Sequence, residues 1–241
     1  MAASFERAGD TRLATLQRIN VGYAYLVLGA FAEAERTLRE VIVAARPLGL
    51  GLVVANAQHN LGMALARRGS LEQAIAIESA AERAFHLQGD RRLEAGSRMY
   101  LAAIHALAGD REAALRDALA AVEMAADLPT VRAHALATLA QITLARGRPR
   151  EAAATAAEAM SLIDGADADA GEALVRLIFA ETRDAIGDTP GARAAILVTR
   201  NRLRARAARI SDPELRESFL QRVPENARTL ELAAAWIPGS A

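Results

Sequence analysis

Cysteine and lysine are both missing from this 241-residue chain, and aromatics are scarce: one Trp, three Tyr and five Phe. Without cysteine there is no disulfide framework, no thiolate metal site and no cysteine nucleophile. All 29 basic side chains are arginines and 29 acids balance them. A net charge of zero argues against a general nucleic-acid or membrane-surface binder. Long apolar runs are lacking too. The longest nearly apolar stretch, Val21 to Ala32, is far short of the roughly 18 residues of a membrane span. The N-terminus, Met1-Ala-Ala-Ser-Phe-Glu-Arg, turns polar at once without the apolar core of a signal peptide, so the expected compartment is the cytoplasm. What is abundant is alanine, 59 residues, within an apolar content of 52%. That composition predicts a folded, helix-rich protein.

A repeat organises the chain. Gly9, Gly49 and Gly89 are 40 residues apart, as are Gly29, Gly69 and Gly109, and Ala34, Ala74 and Ala114. Gly22 and Gly62 continue with Ala102 in the same register. The ladder shortens once, by a step of 38 to Gly147 and Ala152, and resumes with a step of 40 at Gly187 and Ala192. Glycine and alanine are common here, so the weight lies in several ladders sharing one register.

Each period reads as two amphipathic helices: Arg12–Leu28 with Ala32–Arg46, Leu52–Arg67 with Leu71–Leu87, and Arg91–Ala108 with Arg111–Ala126. Val131–Arg146 with Arg150–Ile163 and Gly171–Ile186 with Gly191–Ala208 complete five pairs. The glycine after each first helix suits a left-handed C′ position. No alternating β-branched run appears, so strands are not expected. Gly22, Gly62, Ala102, Ala140 and Ala180 mark one point of each first helix, and Ala34, Ala74, Ala114, Ala152 and Ala192 the matching point of each second. Small side chains at both points let the axes approach closely, so a large one there is expected to cost about 1–3 kcal/mol.

The segment Asn20-Val-Gly-Tyr-Ala-Tyr-Leu-Val-Leu-Gly29 with Ala34 resembles a tetratricopeptide repeat, and Asn60-Leu-Gly-Met-Ala-Leu-Ala-Arg-Arg-Gly69 with Ala74 resembles it more closely. The period exceeds the family's usual 34 residues and the usual Trp is missing, so the resemblance is to a long-repeat variant. It implies an all-α, right-handed solenoid of about five helix pairs, spanning 11–50, 51–90, 91–128, 129–167 and 168–208.

Both ends carry expectations. Phe5-Glu-Arg-Ala-Gly-Asp-Thr-Arg-Leu13 matches Phe85-His-Leu-Gln-Gly-Asp-Arg-Arg-Leu93 at an offset of 80, so residues 3–8 read as the last turns of a second helix. Residues 1–10 are therefore a remnant of a preceding repeat, and the chain reads as a fragment of a longer protein. In residues 209–241, Ser211 or Asp212 with Pro213 starts one capping helix and Val223-Pro-Glu-Asn-Ala starts another, ending near Trp236. This tail, expected to cover the apolar face of the last repeat, resembles the closing segment of repeat arrays in bacterial signalling kinases and nucleotide-binding ATPases.

Catalytic motifs are absent. His59, His86, His105 and His134 show no HExxH or i,i+4 pairing, and Gly49-Leu-Gly51 lacks the third glycine of a phosphate loop. Asp164, Asp167 and Asp169 fail EF-hand spacing and read as a solvated loop. No enzyme activity, metal or cofactor is expected. Arg202, Arg206 and Arg209 share one face of the last long helix. They form either an anion patch or a solvated face turned to Glu214 and Glu217.

The remaining candidate is the concave face. By family resemblance, the positions that face a peptide fall on Ile19, Asn20, Tyr23 and Val27, then His59, Asn60, Met63 and Arg67, then Met99, Tyr100, Ala103 and Leu107, then Thr138, Gln141 and Glu181. Asn suits such a site because its amide both donates to and accepts from a backbone, while Tyr and Met supply adaptable apolar contact. Of the family's carboxylate-clamp positions only Asn60 matches, with Ile19, Tyr23, Gly96 and Tyr100 at the others, so a C-terminal carboxylate is not the expected ligand. The expected function is a non-catalytic scaffold binding a peptide or helix. The alternatives are a regulatory fragment of a signalling enzyme acting on its own kinase or ATPase domain, or a self-assembly module.

Overall fold

The computed structural model describes residues 11–163 and 171–237; the expected remnant at 3–8 and the acidic loop of Asp164, Asp167 and Asp169 lie outside the described residues. The described residues form five helix pairs: α1 Thr11–Val27 with α2 Phe31–Ala45, α3 Gly51–Arg67 with α4 Leu71–Gln88, α5 Arg91–Leu107 with α6 Arg111–Met124, α7 Pro129–Ala145 with α8 Pro149–Ile163, and α9 Glu172–Ala185 with α10 Thr189–Ala208. Two shorter helices follow, α11 Pro213–Gln221 and α12 Pro224–Trp236. No strand occurs among the described residues.

The turn inside each pair repeats one device. Gly29, Gly69, Gly109, Gly147 and Gly187 all have positive φ, between 76° and 87°. The next residue's N–H then returns to the carbonyl five residues back, as in Ala30 to Tyr25 (2.9 Å), Asp110 to His105 (3.0 Å) and Asp188 to Arg183 (2.9 Å). This closes the helix end in a Schellman-type turn that a Cβ would strain. Asp110 and Asp188 then cap the second helix, accepting from Ala113 N–H at 2.9 Å and Gly191 N–H at 3.0 Å. The ladder's 38-residue step falls at the end of an outer helix: α4 has 18 residues and α6 has 14.

Odd-numbered helices α1 to α9 contact one another in series and form the inner layer, each backed by its even-numbered partner. The small residues sit where the layers meet. A Cβ on Gly22 would lie 2.6 Å from Leu38 Cδ2, and one on Gly62 would lie 2.6 Å from Glu78 Oε2. The matching Ala102, Ala140 and Ala180 are fully buried. At Gly22 even a methyl is already too large.

The tail covers the last repeat, with Leu232, Ala233 and Trp236 packed on Leu177, Ala180 and Ile196. Asp212 caps α11 through Glu214 N–H (2.9 Å) and Leu215 N–H (3.0 Å). Buried Asn226 donates to the Phe219 carbonyl at 2.8 Å, tying α12 to α11.

Candidate functional site

The inner layer brings several predicted groove residues together. Ile19 of α1 and Met63 of α3 are buried in one apolar cluster, with Tyr23 and Tyr100 packed half-buried against it. Asn60 is buried beside them on α3. Val27, Met99 and Ala103 are half-buried, and Asn20 and Gln141 are exposed. Asn20 makes a long side-chain contact to Gln17 at 3.5 Å. Thr138 is buried and spends its hydroxyl on the His134 carbonyl at 3.0 Å.

His59 faces sideways into the helix layer. Its Nδ1 lies 2.7 Å from Glu78 Oε1 and 3.2 Å from Ser97 Oγ, and its ring stacks on Tyr100 at 4.3 Å between centroids. Glu78 is fully buried, and burial raises its carboxyl above the usual range while His59 pulls it back. His59 thus fixes the ring plane of Tyr100 from behind. Burial also raises both groove phenols, Tyr23 against the opposing pull of Arg206.

The tail does more than close the last repeat. Glu225 of α12 bonds to Arg67 of α3, and Arg228 one turn later bonds to Glu181 of α9 at 2.9 Å. The helix therefore bridges repeats two and five. Val223 at its start and Leu230 at its middle join Phe219, Leu203 and Ala207 in a cluster that also takes Leu28 of the first repeat. The Gly29 turn is pressed against α11, since a Cβ there would lie 2.7 Å from the Ser218 carbonyl oxygen. The array thus closes head to tail across its own groove.

Sequence reasoning placed Arg67 and Glu181 on the concave face but missed their occupants. Glu225 and Arg228 carry an i,i+3 charge pattern readable in the sequence. Nothing local ties Glu225 to an arginine 158 residues away. The arginine face also has different neighbours from those expected. Arg202 bonds to Glu172 at 2.9 Å rather than to Glu214 or Glu217, and Glu172 is held by Arg176 at 2.6 Å as well. Arg206 lies over the Phe219 ring at 5.8 Å, and Arg209 is exposed at the end of α10. Among the described residues no three His, Cys, Asp or Glu side chains gather as a metal site, and no helix is long and apolar enough to cross a membrane.

No protein-family model and no curated protein sequence matches the chain. Solved structures do. NprR in complex with its cognate peptide NprX superposes with a TM-score of 0.73 at 14% identity, covering 100% of this chain and 67% of that one. The Rap protein complexed with competence and sporulation factor gives 0.63 at 13% identity, over 92% and 65% of the two chains. A kinesin light chain from Podosopora anserina with nearly identical TPR-like repeats gives 0.57 at 17%, over 83% and 98%. With its paired helices, glycine turns and inner layer of first helices, the chain has the fold of a tetratricopeptide-type helical repeat protein.

Proposed function

We propose that the chain is a non-catalytic interaction scaffold that takes a peptide or helix of a protein partner on its concave face. The observation that carries this reading is the inner surface itself. Tyr23, Met63 and Tyr100 come from three successive first helices to one apolar patch, with Arg67 at its edge already bonded to the tail helix. Apolar groove plus charged rim is how amphipathic helices are held in general. Support from the fold neighbours is of the same kind, since NprR was solved with its cognate peptide NprX and Rap with competence and sporulation factor.

The partner's apolar side chains pack on Tyr23, Met99 and Tyr100 while Asn20 orients its backbone, and the buried Met63 and Asn60 support that patch. A peptide library displayed on phage and selected on the whole chain tests this. Selected peptides should lose about tenfold or more in affinity, over 1 kcal/mol, on Tyr23→Ala or Arg67→Ala. They should be indifferent to Val43→Ser or Leu87→Ser on exposed outer helices. Peptides that respond only to the outer substitutions would place binding elsewhere. The Asn60→Ala/Tyr100→Ala pair is the stronger perturbation, and unchanged binding there counts against the proposal. A regulatory role toward a domain of the same protein is the second reading, favoured by the groove's ability to hold a helix of its own chain.

A further inference from the structure

We infer that α12 is an exchangeable occupant of the groove, and that the partner taking its place is an amphipathic helix with the same charge pattern. That pattern is a carboxylate in the first turn for Arg67 and a cation one turn later for Glu181. The inference rests on the scaffold reading above and specifies the partner's chemistry.

Three observations carry it. First, the ion pairs of α12 with two distant repeats are complementary, Glu225 with Arg67 and Arg228 with Glu181. Glu225 stands just inside the helix start after Pro224, where an anion also suits the helix dipole. A helix binding from outside can reproduce both contacts. Second, the seat is one-sided: Asn226, Thr229, Leu232 and Ala233 are buried, so a replacing helix must also bring an apolar face for Leu177 and Ile196. Pro224, Arg228, Glu231, Ala234 and Ala235 form a solvent-facing stripe, and the Arg228 side chain is 44% exposed. The Arg228 pair, so wetted, holds weakly, whereas the Glu225–Arg67 pair is mostly buried. Third, the tail is tethered by a short exposed joint, Arg209 to Asp212, of which only Ile210 is half-buried. A tethered segment competes at a high effective concentration, so the resident helix masks the groove against a free helix of the same chemistry.

The test uses the full chain and a labelled synthetic peptide of residues 211–237, followed by fluorescence anisotropy. Against the wild-type chain the peptide should bind weakly, because its cis copy is in place. Glu225→Arg sets the cis helix against Arg67, and peptide affinity should rise about tenfold or more. Arg67→Glu should show no such gain, since the peptide's own glutamate is then repelled. A peptide carrying the Glu225→Arg change should bind the Arg67→Glu chain and restore the gain. Equal peptide affinity for wild type and Glu225→Arg, within about twofold, would overturn the inference. Hydrogen exchange guards against a variant that merely misfolds: in the wild type, amides of α12 should exchange about tenfold or more faster than those of α3 and α5. Equal protection of the two regions would make α12 a permanent cap and sink the inference as well.

A cross-link separates this inference from the scaffold reading. The chain has no cysteine, so Arg67→Cys/Glu225→Cys joined by a short bismaleimide locks the tail in place. Library peptides that bind the locked groove as well as the open one defeat the exchange but leave the scaffold standing. If no peptide responds to groove substitutions in either state, the scaffold reading itself fails.

Discussion

Gly29→Ala measures how firmly the tail is seated on the first repeat. Gly29 has φ +76°, and a Cβ built on it lies 2.7 Å from the Ser218 carbonyl oxygen, 3.0 Å from Ser218 Oγ and 3.2 Å from Arg222 Cβ. Gly109 occupies the same point of the third repeat at φ +80°, with nothing within 4 Å of its Cβ position. Both substitutions meet the left-handed strain of about 1–2 kcal/mol. A reduced entropy of the unfolded chain offsets part of it. Gly29→Ala alone adds a collision with backbone, which costs about 1–3 kcal/mol in a packed site. Gly109→Ala should therefore destabilise by about 1 kcal/mol and Gly29→Ala by roughly 2–4. Urea unfolding followed by circular dichroism gives both values, with equal m-values required so that the comparison is of like transitions. The clash has one other outlet. If α11 lifts off instead, Gly29→Ala approaches Gly109→Ala in stability while hydrogen exchange in 213–236 accelerates. Equal stability with unchanged exchange would show that α11 does not rest on this turn, and the head-to-tail closure would be wrong.

Other substitutions test the interior. Gly22→Ala, whose methyl would meet Leu38 Cδ2 at 2.6 Å, should cost about 1–3 kcal/mol in the same denaturation assay. Asp188→Ala removes the cap on Gly191 N–H and should cost about 1 kcal/mol. Glu78 holds its proton more tightly when folded, because burial raises its carboxyl. Folding therefore takes up a proton above the unfolded value of about 4.3, and this stability is lost as pH rises through the raised folded value. Relative to Glu78→Gln, the wild type should thus weaken between acid and neutral pH. A constant difference from pH 4 to pH 8 would show that Glu78 is not desolvated. At alkaline pH the phenols of Tyr23 and Tyr100, raised by burial, should ionise above the range of a free tyrosine. A spectroscopic titration of all three tyrosines near pH 10 would contradict their burial.

How much of this was legible in the residues follows from the range of each interaction. The turn glycines are local: a left-handed residue followed by a backbone return five residues back is decided within one short segment. Gly29, Gly69, Gly109, Gly147 and Gly187 could therefore be recognised from spacing alone. The small-residue contacts are nearly as local, since Gly22 meets Leu38 and Gly62 meets Glu78 sixteen residues on, within one helix pair. Assigning Arg67 to the concave face needed only the position of a residue within its own repeat. What covers that face is a different kind of question. It depends on the small rotation between successive repeats, accumulated over five pairs until the tail meets the first turn. No single residue encodes that sum. Glu225 and Arg67 are separated by 158 positions, and either would look like a solvated charge when read alone. His59 was hidden for a related reason: its neighbours Glu78 and Ser97 lie on two other helices, so its sideways orientation is a property of the layer. The consequence bears on any search for the partner. Residue-by-residue reading presents Asn60, Met63 and Arg67 as an open surface, whereas in the folded chain Asn60 and Met63 are buried and Arg67 is already bonded to Glu225 of the tail, so a partner proposed for this face has to compete with that carboxylate.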